Sequence, residues 1–370
     1  PALLEAKRRL HAAGIGAATA PAAVGGGGHR FVVQVAIQFL AGYRDLNLRD
    51  AAHVGHGAVL CHDLEWHGRR ELTAVIRGAL VGLAATEPAG EPDVAAVSTR
   101  AARTAAGWEV SGRKAWVSRV LEAEAFVVFA RSPEHLGAFY VPADSPGLKA
   151  VPADRPADGE GGDGQGQSGW SWGELLLDRV PVPTTSVLGA SVGGIAVFRR
   201  HFAEYRPLVA ATCLGAAAAA VDRWVELVLA GSESGRGLDD TVAERLGDLR
   251  GRVLLALGGL FTGAARPGGI DTSWSKMVKA QAVQTAIDVV RSVEQSMRAE
   301  SGAALPAGTP PAALAAVRRA RRELGAFEEA DGAPAPLLRS AGERFVQYSA
   351  AILDEISEPT STMPRPRLSD

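Results

Sequence analysis

The feature that most constrains this chain is a change of hydrophobic period partway along it, followed by a change back. Helical spacing governs the first eighty residues, in Leu3–Ala13, Phe31–Tyr43 and Arg69–Leu80. The second of these (FVVQVAIQFLAGY) is apolar on most sides, which predicts a buried helix. A Gly25–Gly28 run must break any regular element before it. Near Val81 the texture changes. Gly107–Ser118 (GWEVSGRKAWVS) alternates, with Trp108, Val110, Lys114 and Trp116 on one parity and a turn predicted at Ser111-Gly112. Ala125–Arg131, Gly137–Pro142 and Glu174–Val180 read as further short strands. After Gly189 the helical period returns in Ile195–Leu229, Asp239–Ala265, Thr272–Ser301, Pro311–Glu329 and Pro336–Ile356, punctuated at Pro267-Gly268-Gly269 and Asp331-Gly332. The order α, β, α predicts a multidomain α+β protein. Its parts are an N-terminal helical domain (1–80), a central antiparallel β-barrel-like domain (81–190), a C-terminal helical bundle (191–358) and a disordered tail (359–370). Pro156–Ser168 is nearly free of apolar residues and predicts a mobile surface loop.

The 370 residues are enough for a core of full size. Lys and Arg total 39 against 41 acidic residues, a formal charge of −2, so there is no global footprint for nucleic acid or an anionic membrane. No apolar run approaches the ~18 residues a bilayer span needs, and no signal-peptide pattern opens the chain. Two distant cysteines, Cys61 and Cys213, argue against a disulfide framework or a zinc ribbon. The expectation is a soluble protein of a reducing, cytoplasmic compartment. His53 and His56, with His62 and His67, have metal-like spacing on paper but lack a recognisable third ligand, so no metal is expected. Gly25–Gly28 has no following Lys-Ser/Thr and is not a phosphate loop. Arg318-Arg319-Ala320-Arg321-Arg322 reads as a solvated helix face.

Four segments, in order, carry a resemblance. Ala85-Thr86-Glu87-Pro88 through Asp93 is similar to A-x-T-E-P-x-x-G-S-D. Gly107 through Ser118 is similar to G-y-x-x-x-G-x-K-x-W-I-T, and Leu177-Asp178-Arg179-Val180-Pro181-Val182-Pro183 to a strand-closing D-x-V-x-V-P. Arg206, Gly215 and Lys279 then fall where a helix arginine, a packing glycine and a mid-bundle lysine belong. Together they resemble the acyl-CoA dehydrogenase family over nearly the whole chain.

The resemblance implies FAD between β-domain and bundle. Leu83, Ala85 and Thr86 would line the flavin, Trp116 would pack on its ring, and Val117 and Ser118 would meet its N5/O4 edge, with Gln295 and Gly332 completing the set. A flat redox ring needs an aromatic platform and a few fixed polar groups, and residues two apart on a strand share a face. The implied reaction is α,β-dehydrogenation of an acyl thioester, on coenzyme A or an acyl-carrier protein, with a separate electron acceptor. A carboxylate base is needed for the α-proton. Arg322-Glu323 and Asp331-Gly332 keep the spacing of the family's R-D-x-(7)-E-G-T, which singles out Asp331 as catalytic. The same Asp-Gly is also ordinary turn chemistry between helices. Glu328 and Glu329 stand in reserve, and Tyr205, with Glu204 before it, occupies the slot of an alternative base.

The pattern breaks in three places. G-S-D reads Glu91-Pro92-Asp93, R-x-x-x-F-G reads Ala230 through Gly235 without arginine or aromatic, and Q-x-x-G-G keeps only Gln295. Arg236 or Arg298 could replace lost positive charge. The losses fall on dinucleotide contacts donated across a subunit interface. They leave open a divergent homodimer or homotetramer, one half of a hetero-oligomer, and a flavin-dependent monooxygenase. Dehydrogenation stands first, with specialised metabolism as its setting.

Overall fold

The computed structural model describes residues 2–63, 66–88, 94–153, 170–190, 192–233, 239–267, 269–302, 311–329 and 331–357. Helices α1 (Ala2–Ala12), α2 (Phe31–Arg44), α3 (Ala58–Cys61) and α4 (Arg70–Ile76) precede the strands. These are β1 (Val81–Ala84), β2 (Arg100–Thr104), β3 (Gly107–Ser118), β4 (Ala125–Arg131), β5 (Leu136–Pro142), β6 (Leu148–Pro152), β7 (Trp172–Pro183) and β8 (Val187–Leu188). The long helices follow: α5 (Gly193–Glu233), α6 (Asp240–Ala264), α7 (Thr272–Gly302), α8 (Pro311–Glu329) and α9 (Pro334–Ser357). The expected loop at 156–168 and the tail at 359–370 lie outside the described residues.

The strands form one sheet in the order β6-β7-β3-β2-β4-β5-β8, with β1 on β4. It is mixed, not antiparallel throughout, because β1 and β2 each pair with β4 in parallel. Hairpin neighbours must run antiparallel, but β1 reaches β4 only after the chain has passed through β2 and β3. The alternation in β3 also slips. Bulges fall between Val110 and Gly112 and between Lys114 and Val117, so Lys114 and Ala115 are both buried whereas Trp116 is exposed. Trp116 therefore does not share the buried face of Trp108 and Val110.

Three of the four apolar clusters among the described residues organise the layers. One fills the sheet (Trp108, Val110, Phe126, Leu175), one joins it to the first helices (Trp66, Val127, Phe129), and one fills the bundle (Tyr205, Trp224, Val290, Phe327). Leu83 packs against both of the last two, so the end of β1 lies at the seam between sheet and helices. Each fully buried side chain of this size contributes roughly 1.5–3 kcal/mol.

Helix α2 corrects its expectation: Val35 and Ala41 are buried, but Val33, Leu40 and Tyr43 face outward. Its inner face lies against α5, where a Cβ on Gly42 would overlap the Thr212 carbonyl and one on Gly215 the Phe39 carbonyl. Gly215 is thus a packing glycine, required by the closeness of two backbones. Helix α4 stops at Ile76, earlier than its period predicts, because Gly78 turns to φ 108°. Helix α5 overturns another expectation: by length and composition alone it would cross a membrane, yet 78% of that window is buried inside the protein. It is the central helix of the bundle.

Candidate functional site

Asp331 and Gly332 make the turn between α8 and α9 with φ of 61° and 114°, a left-handed pair that ends α8. Two side-chain donors hold the backbone there through three hydrogen bonds. Lys279 Nζ, fully buried on α7, donates to the carbonyls of Glu328 (2.8 Å) and Gly332 (2.6 Å). Arg206 Nε on α5 donates to the Asp331 carbonyl at 2.9 Å. Cations at a helix C-terminus satisfy its orphan carbonyls and oppose its dipole. The turn chemistry is ordinary; its bracing by two buried cations is not. The Asp331 carboxylate is only 13% exposed, and Arg49 Nη1 lies 3.4 Å from its Oδ2.

Arg49 leads to a second carboxylate. Its Nη2 is 3.5 Å from Asp50 Oδ2, which is also ion-paired to Arg119, and Asp50 Oδ1 accepts the Tyr205 hydroxyl at 3.0 Å. The loop bearing Arg49 and Asp50 is fixed by two buried glutamines of α2: Gln38 donates to the Arg49 carbonyl (2.9 Å) and Gln34 to that of Ala52 (2.8 Å). The Arg49 guanidinium lies over the rings of Tyr205 (5.3 Å) and Phe327 (5.1 Å). Burial, and then the charge of Arg49, lower Arg119 to about 10. Burial pushes the Tyr205 phenol up. Beside Tyr205, His56 and His201 share a hydrogen bond of 2.9 Å. Burial holds His56 down at about 4 and His201 well below its ordinary value, so both are neutral.

Arg119 immediately follows Ser118, so this chain of contacts ends where β3 ends. There Trp116 adopts φ 58° in the bulge and leaves its indole 65% exposed. One of its faces lies parallel to Trp172 of β7, centroids 5.0 Å apart and planes 3° from parallel. Val117 is buried in the sheet, which leaves only its backbone for a ligand, while Ser118 is half-buried. Leu83, Ala85 and Thr86 are half-buried alongside. The Thr86 carbonyl accepts the Ala115 amide (3.0 Å), and Lys114 Nζ donates to the Ala85 carbonyl (3.1 Å) and to Glu87 (2.9 Å). Burial alone would raise Glu87, but hydrogen bonds from the hydroxyls and amides of Ser98 and Thr99 win and hold it ionised. This buried pair pins the end of β1 to β3, next to the exposed indole of Trp116.

Asp331, Gly332, Arg206 and Lys279 are therefore assembled, and Ala85 and Thr86 are bonded to Lys114 and Ala115, the residues just before Trp116. Gln295 is exposed on α7. Glu328 is half-buried and gives its carbonyl to Lys279, Glu204 pairs with His62 at 2.8 Å, and the side chain of Glu329 lies outside the described residues. Residues 89–93 and 234–238, with Glu91, Pro92, Asp93 and Arg236, also lie outside them. Arg298, Arg318 and Arg321 all pair with the buried Glu294, and Arg319 with Asp45 and Glu323, so three arginines of the basic stretch are tied to carboxylates of this chain. His53 and His56 are buried, and among the described residues no group of His, Cys, Asp or Glu could hold a metal ion. Sequence reasoning missed Arg49, Asp50, Arg119, His201 and Trp172. Only the adjacency of Arg119 to Ser118 could have flagged one of them.

Residues 82–177 match the family described as acyl-CoA dehydrogenase, middle domain. Among curated proteins, the chain is 30% identical over 162 residues to a cyclohexane-1-carbonyl-CoA dehydrogenase of Geobacter metallireducens, covering 43% of this chain and 38% of that one. It is 31% identical over 157 residues to the human mitochondrial short-chain specific acyl-CoA dehydrogenase, covering 41% and 36%. These matches therefore span well under half the length of either relative. Among solved structures, a glutaryl-CoA dehydrogenase from Mycobacterium smegmatis in complex with FADH2 superposes with a TM-score of 0.78 at 18% identity, over 93% of this chain and 86% of that one.

Proposed function

Since this chain is a member of the acyl-CoA dehydrogenase family by its central domain and its fold, we propose that it binds FAD and dehydrogenates an acyl thioester between Cα and Cβ. The observation that carries the reading is the chain of contacts from Asp331 through Arg49, Asp50 and Arg119 to the end of β3. It links a carboxylate only 13% exposed to the strand end that carries the exposed indole of Trp116, which supports placing both in one site.

The residues present fit a flavin. The exposed face of Trp116, backed by Trp172, offers a flat surface of the right chemistry, and the hydroxyls of Thr86 and Ser118 offer hydrogen bonds at its edge. Leu83, Ala85 and the backbone of Val117 would line it, with Gly332 at the base turn. FAD, when bound, supplies the hydride acceptor. Gln295, being exposed, would serve a cofactor held by a second copy.

Asp331 takes the α-proton on a carboxylate oxygen. Arg206 and Lys279 fix its backbone, so the side chain acts from a rigid mount; a misplacement of ~1 Å can cost ~100-fold. Burial excludes water from the proton's path. Tyr205, committed to Asp50 and with its phenol pushed up, is no base at neutral pH. Glu204 is engaged by His62.

A homo-oligomer is part of this reading. Leu254 and Leu255 on α6 and Phe345 and Val346 on α9 are exposed apolar side chains that a second copy would cover.

The test is a flavin spectrum of purified protein followed by anaerobic titration with acyl thioesters. Bleaching of flavin absorbance by a thioester supports the reading. A requirement for both a flavin reductase and oxygen would replace it with oxygenation.

A further inference from the structure

Lys7 on α1 is fully buried, and the chemistry above makes no use of it. Its Nζ lies 2.8 Å from the Asp50 carbonyl, 2.7 Å from the His53 carbonyl and 3.0 Å from His11 Nε2. None of these three partners is a carboxylate.

The geometry fixes the protonation states. His11 Nδ1 is 2.8 Å from the Ile76 carbonyl, which can only accept, so Nδ1 carries the ring proton. Burial lowers His11 to about 4, which leaves Nε2 bare at neutral pH. Lys7 therefore faces three acceptors at once, and only the ammonium form has three N–H groups to give them. The His11 ring is held in place as well, since a Cβ on Gly16 would overlap it.

Two of those acceptors belong to the loop that presents Arg49. Gln38 and Gln34 of α2 hold that loop at the carbonyls of Arg49 and Ala52, and Lys7 of α1 holds it at the carbonyls of Asp50 and His53. Asp50, gripped through its backbone, meets Arg49 and Arg119 with its carboxylate, and Arg49 meets Asp331. Two of the four grips thus depend on one ammonium. A neutral amine has two N–H groups for three acceptors, so one buried acceptor would be stranded.

We propose that Lys7 is a positioning residue for the dehydrogenation: its ammonium holds the Arg49–Asp50 loop against Asp331, and the site loses alignment when that ammonium gives up its proton. The inference rests on the thioester reading and deepens it. Burial, and then the charge of Arg119, lower Lys7 to about 7. Around it, His11 and His53 are held down at about 4 and about 3, Arg119 at about 10, and Asp50 is ion-paired. Lys7 is thus the member of this cluster that titrates between pH 6 and 9. Its linkage to stability runs the other way. The unfolded chain keeps this proton up to its ordinary value of 10.5, so the contribution of Lys7 to stability rises with pH above 7. A rate lost over that range through Lys7 is not unfolding.

The experiment is stopped-flow bleaching of the flavin-loaded protein by butyryl-, octanoyl- and cyclohexane-1-carbonyl-CoA from pH 6 to 9. The limiting rate of the wild type should fall about ten-fold or more as pH rises. Lys7→Met keeps an unbranched side chain and removes the donors. It should be about ten-fold slower at pH 6 and flat across the range, with the half-saturating thioester concentration within about two-fold of wild type. Lys7→Gln, which donates without titrating, should be flat at an intermediate rate. A flat wild-type profile overturns the inference and requires no variant to fold; a Lys7→Met protein that keeps the wild-type rate, or its alkaline fall, overturns it too. Wild type bleached by none of the three thioesters defeats the dehydrogenase reading and this inference with it, whereas a wild type that bleaches alongside an equally fast Lys7→Met defeats this inference alone.

Discussion

Arg49 and Asp331 stand 282 positions apart in sequence, yet Nη1 of one is 3.4 Å from Oδ2 of the other, an ion pair across the seam between the first helices and the bundle. Asp331→Asn removes the charge and keeps the shape, so the cofactor should stay bound. Thioester-dependent bleaching should fall by at least ~1,000-fold, about 4 kcal/mol of lost transition-state stabilisation. Stopped-flow absorbance checks this; normal bleaching removes Asp331 from its role.

Trp116 is mostly exposed and gives up little packing if truncated. Trp116→Ala should change stability by no more than about 1 kcal/mol, since the stack on Trp172 is the principal loss. Flavin retention should weaken about ten-fold. Urea unfolding and flavin content per chain report the two effects separately.

Lys279→Met leaves the carbonyls of Glu328 and Gly332 without their donor. Two charge-assisted bonds predict a loss of about 3 kcal/mol in equilibrium unfolding. Proton abstraction should slow as well, because the base turn loses a brace.

Gly215→Val thrusts a side chain into the Phe39 carbonyl at the α2–α5 contact. Overpacking of this kind costs at least about 3 kcal/mol. The same change at Gly247, which has open space around it, should cost about 1 kcal/mol or less. Comparing their denaturation midpoints isolates the packing effect.

Acid should unfold this protein through its buried histidines. Burial depresses His11 and His56 to about 4 and His53 to about 3, with His201 also lowered. Below their ordinary value near 6.5 the unfolded chain takes up protons that the folded chain refuses. The stability they contribute is therefore complete above pH 6.5 and is lost as pH falls from there through about 4. Each of His11, His53 and His56 accounts for on the order of 3 kcal/mol. Unfolding free energy followed from pH 7 to 4 should show a steep fall, made shallower in His56→Asn.

The period changes carried much of the architecture. Helices α1, α2 and α5–α9 and strands β3, β4, β5 and β7 are visible as runs of one spacing or the other. Strands β1, β2, β6 and β8 are not. Val81–Ala84 and Val187–Leu188 are too short for a period, and Arg100–Thr104 is largely polar because it is held by main-chain pairing to β3. In the site, family-like spacing pointed to Asp331, Arg206, Lys279 and Trp116. Arg49, Asp50 and His201 carry no local signal, since what defines them is contact with residues far along the chain. Buried polar groups of this kind are written in the fold and not in any window of sequence.

The parallel indoles of Trp116 and Trp172 come from two strands paired in register, Ser118 opposite Trp172. Their ultraviolet emission overlaps flavin absorbance, and one indole face is open. The apoprotein thus carries an intrinsic fluorescent gauge whose dimming tracks loading of the platform. Trp172, outside every recognisable motif, is one of seven tryptophans that feed that signal and the one that backs the platform.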